Sequence, residues 1–146
     1  MKKIIALDLG DAWVGIAISD FLKITAKPLQ AVATAAITAA LSKILEQEPI
    51  NTIVVGLPLT LSGGTDSDQT KRVRQQATDL EATIRQQGFA DLKWVFWDER
   101  LSSKRAAALK FGKKTKEEKL MEHAKAAAFI LQNYLDFLSL SNPQAE

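Results

Sequence analysis

The most constraining feature of this chain is a short apolar run that stops on an acid. Residues 3–8, Lys-Ile-Ile-Ala-Leu-Asp, are β-branched and apolar up to Asp8, and Gly10 follows at once. Such a run reads as a buried strand ending at a turn. The design recurs at Thr52-Ile53-Val54-Val55, which ends at Gly56-Leu57-Pro58, and at Leu92–Trp97, which ends at Asp98-Glu99. Near-continuous apolar strands of this kind are covered on both faces, so helices must lie between them in the chain. Helical periods occur where this requires them. Ile37, Leu41, Ile44 and Leu45 mark a helix over about 35–47 closed by Pro49, a polar-faced helix spans about 68–87, and the last spans about 116–138.

The start of the chain adds two strands. Val14–Ser19 pairs antiparallel with the first strand through the Gly10–Ala12 turn, and a third strand covers about 24–33, with Pro28 marking a break or an edge position inside it. A short helix is expected around 102–110. Three hairpin-like strands followed by helix, strand, helix, strand, helix predict an α/β fold with a mixed sheet. The 146 residues suit one domain, expected over 1–140 with a disordered tail at 141–146. With no cysteine, disulfide scaffolds and thiolate metal sites are excluded. The run after Lys2-Lys3 is stopped by Asp8 before a signal peptide could form, and no stretch approaches the roughly 20 apolar residues of a membrane span. The expectation is a cytoplasmic protein without a membrane partner.

Asp8 and Glu99 both end apolar strands. If those strands are parallel, the two carboxylates emerge at one sheet edge, where hard oxygen donors suit Mg²⁺ or Mn²⁺. The competing readings are an Asx turn at Asp8 and a strand-to-helix junction with a local ion pair at Asp98-Glu99-Arg100. Thr115 and Glu118 form a capping-box pattern, so the last helix begins near Lys116. His123, Ala127, Ile130 or Leu131, and Tyr134 then share one face. The chain's single histidine therefore points toward the sheet, as a core residue, a metal ligand or a proton carrier.

Charge is distributed unevenly. Residues 100–125 hold nine basic residues and three acids, a local balance of +6, which leaves −4 for the rest of a chain whose total is +2. Cations directly after an acidic strand end are what a phosphodiester-cleaving site needs, although solvated Lys-Glu pairing would explain the stretch 116–119 equally well. Arg100 and Ser102, nearest the acids, with Lys104 and Arg105, are the candidate phosphate contacts. The Gly63-Gly64 loop lacks P-loop spacing and reads as a turn.

Four motifs occur in order: Asp8-Leu-Gly10 with Val14-Gly-Ile-Ala-Ile-Ser-Asp20, Val54-Val-Gly-Leu-Pro58, Asp98-Glu-Arg-Leu-Ser-Ser103, and Ala126-Ala-Ala-Phe-Ile-Leu-Gln-Asn-Tyr-Leu135. Together they resemble the YqgF (RuvX) family, the Holliday junction resolvase or pre-16S rRNA nuclease group of the ribonuclease H superfamily. The resemblance implies a ribonuclease H-like fold, a mixed five-stranded sheet with helices on both faces. It also implies metal-dependent hydrolysis of nucleic-acid phosphodiesters and a role in maturing the 5′ end of pre-16S ribosomal RNA. Branched DNA is the alternative substrate, ribosomal particles are the implied partners, and a non-catalytic RNA-binding assembly factor is the rival reading. The family's first acid matches Asp8 and its Asp-Glu-Arg acid matches Glu99. Its third acid aligns with His123, a departure that keeps a donor but lowers the site's negative charge. Trp13 stands where the family usually has Arg or Lys, exchanging a phosphate contact for an indole able to stack on a base.

Overall fold

The computed structural model describes residues 1–57, 68–98 and 115–141. The expected short helix around 102–110, the Gly63-Gly64 loop and residues 142–146 lie outside them. The elements in chain order are β1 (Lys3–Asp8), β2 (Trp13–Ser19), β3 (Ala26–Ala33), a 3-10 turn (Thr34–Ala36), α1 (Ile37–Gln47), β4 (Ile50–Leu57), α2 (Asp68–Gln86), β5 (Lys93–Asp98) and α3 (Lys116–Ser141).

The strands form one sheet in the order β3-β2-β1-β4-β5. β1 pairs antiparallel with β2, with Asp8 opposite Gly15, and β2 pairs antiparallel with β3. β1 and β4 are parallel, as are β4 and β5. The C-terminal ends of β1, β4 and β5 therefore share one edge, as the strand-end acids required.

Strand alternation divides the interior in two. Ile5, Leu7, Val14, Ile16, Ile53 and Val55 face α1 and α2, which contribute Leu41, Ile44, Val73, Leu80 and Ile84. Ile4, Ala6, Ala17, Val54 and Trp97 face α3, which contributes Ala127, Ile130, Leu131, Tyr134 and Leu135. Helices thus cover both faces, in keeping with the ribonuclease H-like expectation. Among the described residues no helix is long and apolar enough to cross a membrane.

The element boundaries shift for identifiable reasons. β3 begins at Ala26 rather than near 24 because the Asp20 carboxylate accepts the amides of Ile24 and Thr25, at 2.8 and 3.2 Å, and takes those donors out of the ladder. α1 starts at Ile37 because Thr34–Ala36 form a tighter turn first. α3 begins where its capping residue implies. The Thr115 hydroxyl oxygen accepts the Glu118 amide at 3.1 Å, and Lys119 N–H donates to the Thr115 carbonyl at 3.0 Å. The helix runs on to Ser141, past the expected end at 138, with Leu138 packed against the core.

Candidate active site

Asp8 is the last residue of β1, and alternation places it, with Ile4 and Ala6, on the face covered by α3. Opposite it on β2 is Gly15. A Cβ at Gly15 would overlap the backbone carbonyl of His123 and lie 3.0 Å from the Ala124 nitrogen. The α3 backbone therefore rests directly on β2 at this point, which only glycine permits. Small residues extend the contact, with Ala6 and Ala17 on the sheet and Ala124 and Ala127 on the helix all buried. Because α3 comes this close, its third turn carries His123 to the strand end that holds Asp8.

The two side chains interact electrostatically. Burial pushes the Asp8 carboxyl up to about 6, and the neighbouring His123 partly offsets that rise. Burial and His123 are the two causes at Asp8. By contrast Asp20, with backbone amides on its carboxylate, is held below the usual carboxylate range despite an opposing contribution from burial. Asp8 is thus a desolvated anion at a sheet edge, a position that a bound cation would stabilise.

The turn after Asp8 is held from two sides. The Gly10 carbonyl accepts a hydrogen bond from the Thr34 hydroxyl at 2.8 Å and one from the Gln76 side-chain amide at 3.2 Å, and Thr34 N–H donates to the Ala12 carbonyl at 2.9 Å. Gly10 has no room for a side chain, since a Cβ would sit 2.7 Å from the Trp13 carbonyl oxygen. Trp13 opens β2 half-buried, in register with Ala33.

Of the residues expected from sequence, Asp8 and His123 are brought together. Glu99, Arg100, Ser102, Lys104 and Arg105 lie outside the described residues; Glu99 directly follows Asp98, the last residue of β5, which is paired with Leu57 of β4. Among the described residues no group of three or more acids, histidines or cysteines could hold a metal ion. Asp8 and His123 supply one carboxylate and one imidazole, a donor set that Mn²⁺ or Mg²⁺ accepts when further oxygen ligands complete it. Thr34 and Gln76 went unnoticed in the sequence, because their roles depend on how α2 and the 3-10 turn lie against the β1–β2 turn. Gly15 carried a readable signal, a glycine inside an otherwise apolar strand.

A profile of the family described as "RuvX: Holliday junction resolvase" matches residues 2–137. A protein of Rubrobacter xylanophilus named "Putative pre-16S rRNA nuclease" is 36% identical over 135 residues, covering 92% of each chain. One of Sulfurihydrogenibium with the same name is 36% identical over 145 residues, covering 97% of this chain and 95% of its own. Among solved structures, Thermus thermophilus RuvC superposes with a TM-score of 0.58 at 11% identity, covering 95% of this chain and 96% of RuvC. The same protein bound to a Holliday junction substrate gives 0.57 at 12% identity, with 94% and 96% coverage. At these identities the likeness concerns the fold, which is ribonuclease H-like.

Proposed function

The chain belongs to the RuvX family, and from that premise we propose that it is a metal-dependent endonuclease hydrolysing nucleic-acid phosphodiester bonds, with the 5′ end of pre-16S ribosomal RNA as its substrate. The carrying observation is the Asp8–His123 pair, a desolvated carboxylate and an imidazole assembled at the edge where β1, β4 and β5 end. Nuclease action is consistent with the names of the relatives; ribosomal particles in the cytoplasm are the proposed setting.

In this proposal Asp8, His123 and Glu99 hold Mg²⁺ or Mn²⁺, which would supply an activated water and charge stabilisation at the leaving oxygen. Asp8, with its carboxyl at about 6, is largely ionised at neutral pH and ready to act as a ligand. The turn held by Thr34 and Gln76 keeps the backbone after Asp8 in place, so the carboxylate need not reorganise when substrate arrives. Arg100, Ser102, Lys104 and Arg105 are proposed to hold phosphates beside the reacting bond. Trp13, at the start of β2, offers an indole for stacking on an unpaired base.

A second reading is a resolvase acting on branched DNA, favoured by the description of the matching family. Precursor ribosomal RNA and a four-way DNA junction, each incubated with Mn²⁺ or Mg²⁺, separate the two. RNA cleaved near the mature 5′ end, with the junction left intact, supports the proposal; cleavage of the junction alone favours the second reading. A chain that binds RNA equally in Mg²⁺ and EDTA and cuts neither substrate is a binding factor, and the nuclease proposal fails.

A further inference from the structure

The phosphate contacts proposed so far all belong to the basic run at 100–125. The described structure places a further set of cations near the start of α2. This helix has four cations, and three of them, Lys71, Arg72 and Arg74, fall within its first seven residues. Arg74 lies over the Phe96 ring of β5, 5.8 Å from its centre, and so packs against the fold.

Arg72 is the informative member. Its Nε lies 3.8 Å from Oδ1 of Asp11 in the β1–β2 turn, and the two side chains are 60% and 80% exposed. An ion pair this long and this exposed contributes little to folding. One helical turn further on, Gln76 donates to the Gly10 carbonyl and fixes α2 against the same turn. The turn begins immediately after Asp8. The Arg72 guanidinium thus lies beside Asp11, largely exposed to solvent, and Asp11 follows Asp8 by three residues in the chain. Guanidinium suits phosphate because its planar fork donates two parallel hydrogen bonds.

We propose that Arg72 is a contact to a substrate backbone phosphate, held over the β1–β2 turn by Asp11 until a phosphate replaces that carboxylate. This rests on the reading that the chain acts on nucleic acid, and it adds a contact on α2 to those proposed in the basic run. Contact of this kind positions the strand and carries no sequence preference.

The test measures binding of a fluorescently labelled RNA, spanning the precursor and mature 5′ sequence of 16S rRNA, to the whole chain in EDTA over a range of KCl concentrations. Arg72→Gln should weaken binding severalfold at low salt, equally for an unrelated RNA, and should reduce the slope of log K against log salt by about one ion. Arg72→Lys should restore most of the slope, because the charge is retained. Asp11→Asn should tighten binding, since it removes an anion that competes with phosphate. Unchanged affinity and slope in Arg72→Gln would overturn the inference, as would a lowered Tm with unchanged binding, which would mark Arg72 as structural. A wild-type chain that binds neither RNA nor branched DNA overturns the functional proposal as well, so the two failures are distinguishable.

Discussion

The two faces of the sheet are built from different residues. Toward α1 and α2 the strands present large aliphatic side chains, among them Ile5, Leu7, Ile16 and Ile53, and meet Leu41 and Ile84. Toward α3 the strands present, beside the larger Ile4, Val54 and Trp97, a patch of small residues, Ala6, Gly15 and Ala17, which meets Ala124 and Ala127. Side chains of the size found on the first face hold helix and sheet apart. The patch yields that bulk in exchange for a short distance between helix and sheet. That short distance brings His123 to Asp8, so the face with the patch of small side chains positions the site.

This contrast is most severely broken at Gly15. Gly15→Val places side-chain atoms inside the α3 backbone at His123, and neither element can yield without moving the other. The expected loss is about 3 kcal/mol or more, together with cleavage, as read by urea unfolding and a nuclease assay. On the opposite face, Leu41→Ala removes a fully buried side chain and should cost about 3 kcal/mol. Cleavage per folded molecule should persist there, because the altered face does not position Asp8 or His123. If Leu41→Ala abolished cleavage in a still-folded chain, the division of labour between the faces would be wrong.

The Asp8 carboxyl sharpens the comparison through pH. Its value in the folded chain, about 6, lies above its ordinary 3.8, so the folded state binds more protons between those two values. The associated stability is fully present below about pH 4 and is lost as pH rises through 6. In EDTA the wild type should lose about 2 kcal/mol over that window through this group, a figure reduced from the full shift because Asp8 is only half-buried. Asp8→Asn should lack this loss in unfolding curves taken across the same window. The smallest effect is expected at Gln132, which accepts the Ala26 amide at 2.9 Å and donates to the Ile24 carbonyl at 2.8 Å, tying α3 to the start of β3. Gln132→Leu should cost about 1 kcal/mol by thermal unfolding and leave cleavage intact, since the lost contacts lie at the far end of β2 from Asp8.

Much of this arrangement is legible in the chain itself. Apolar runs ending on Asp8 and on Asp98-Glu99 identify strands with a common edge, and helical spacing turns His123 toward the sheet. Thr115 and Glu118 mark the start of α3. What escapes is tertiary. No local pattern shows that Asp20 will take the amides of Ile24 and Thr25 and delay β3, because the carboxylate must first be placed by the turn. Thr34 and Gln76 meet at the Gly10 carbonyl from positions 24 and 66 residues away, and nothing in either neighbourhood announces that meeting. The cations of α2 are visible in the sequence as Lys71-Arg72-Val73-Arg74, yet the larger balance of +6 over 100–125 draws attention elsewhere. Only the seating of α2 shows which of its cations reaches the turn beside Asp8.

Asp8 and His123, assembled beneath α3, are proposed to form part of a divalent-ion site. Mn²⁺ binding followed by electron paramagnetic resonance at neutral pH tests this proposal most directly. Wild type should bind Mn²⁺, Asp8→Asn should lose that binding while remaining folded, and His123→Asp should retain or strengthen it. Equal Mn²⁺ binding by wild type and Asp8→Asn would contradict the account.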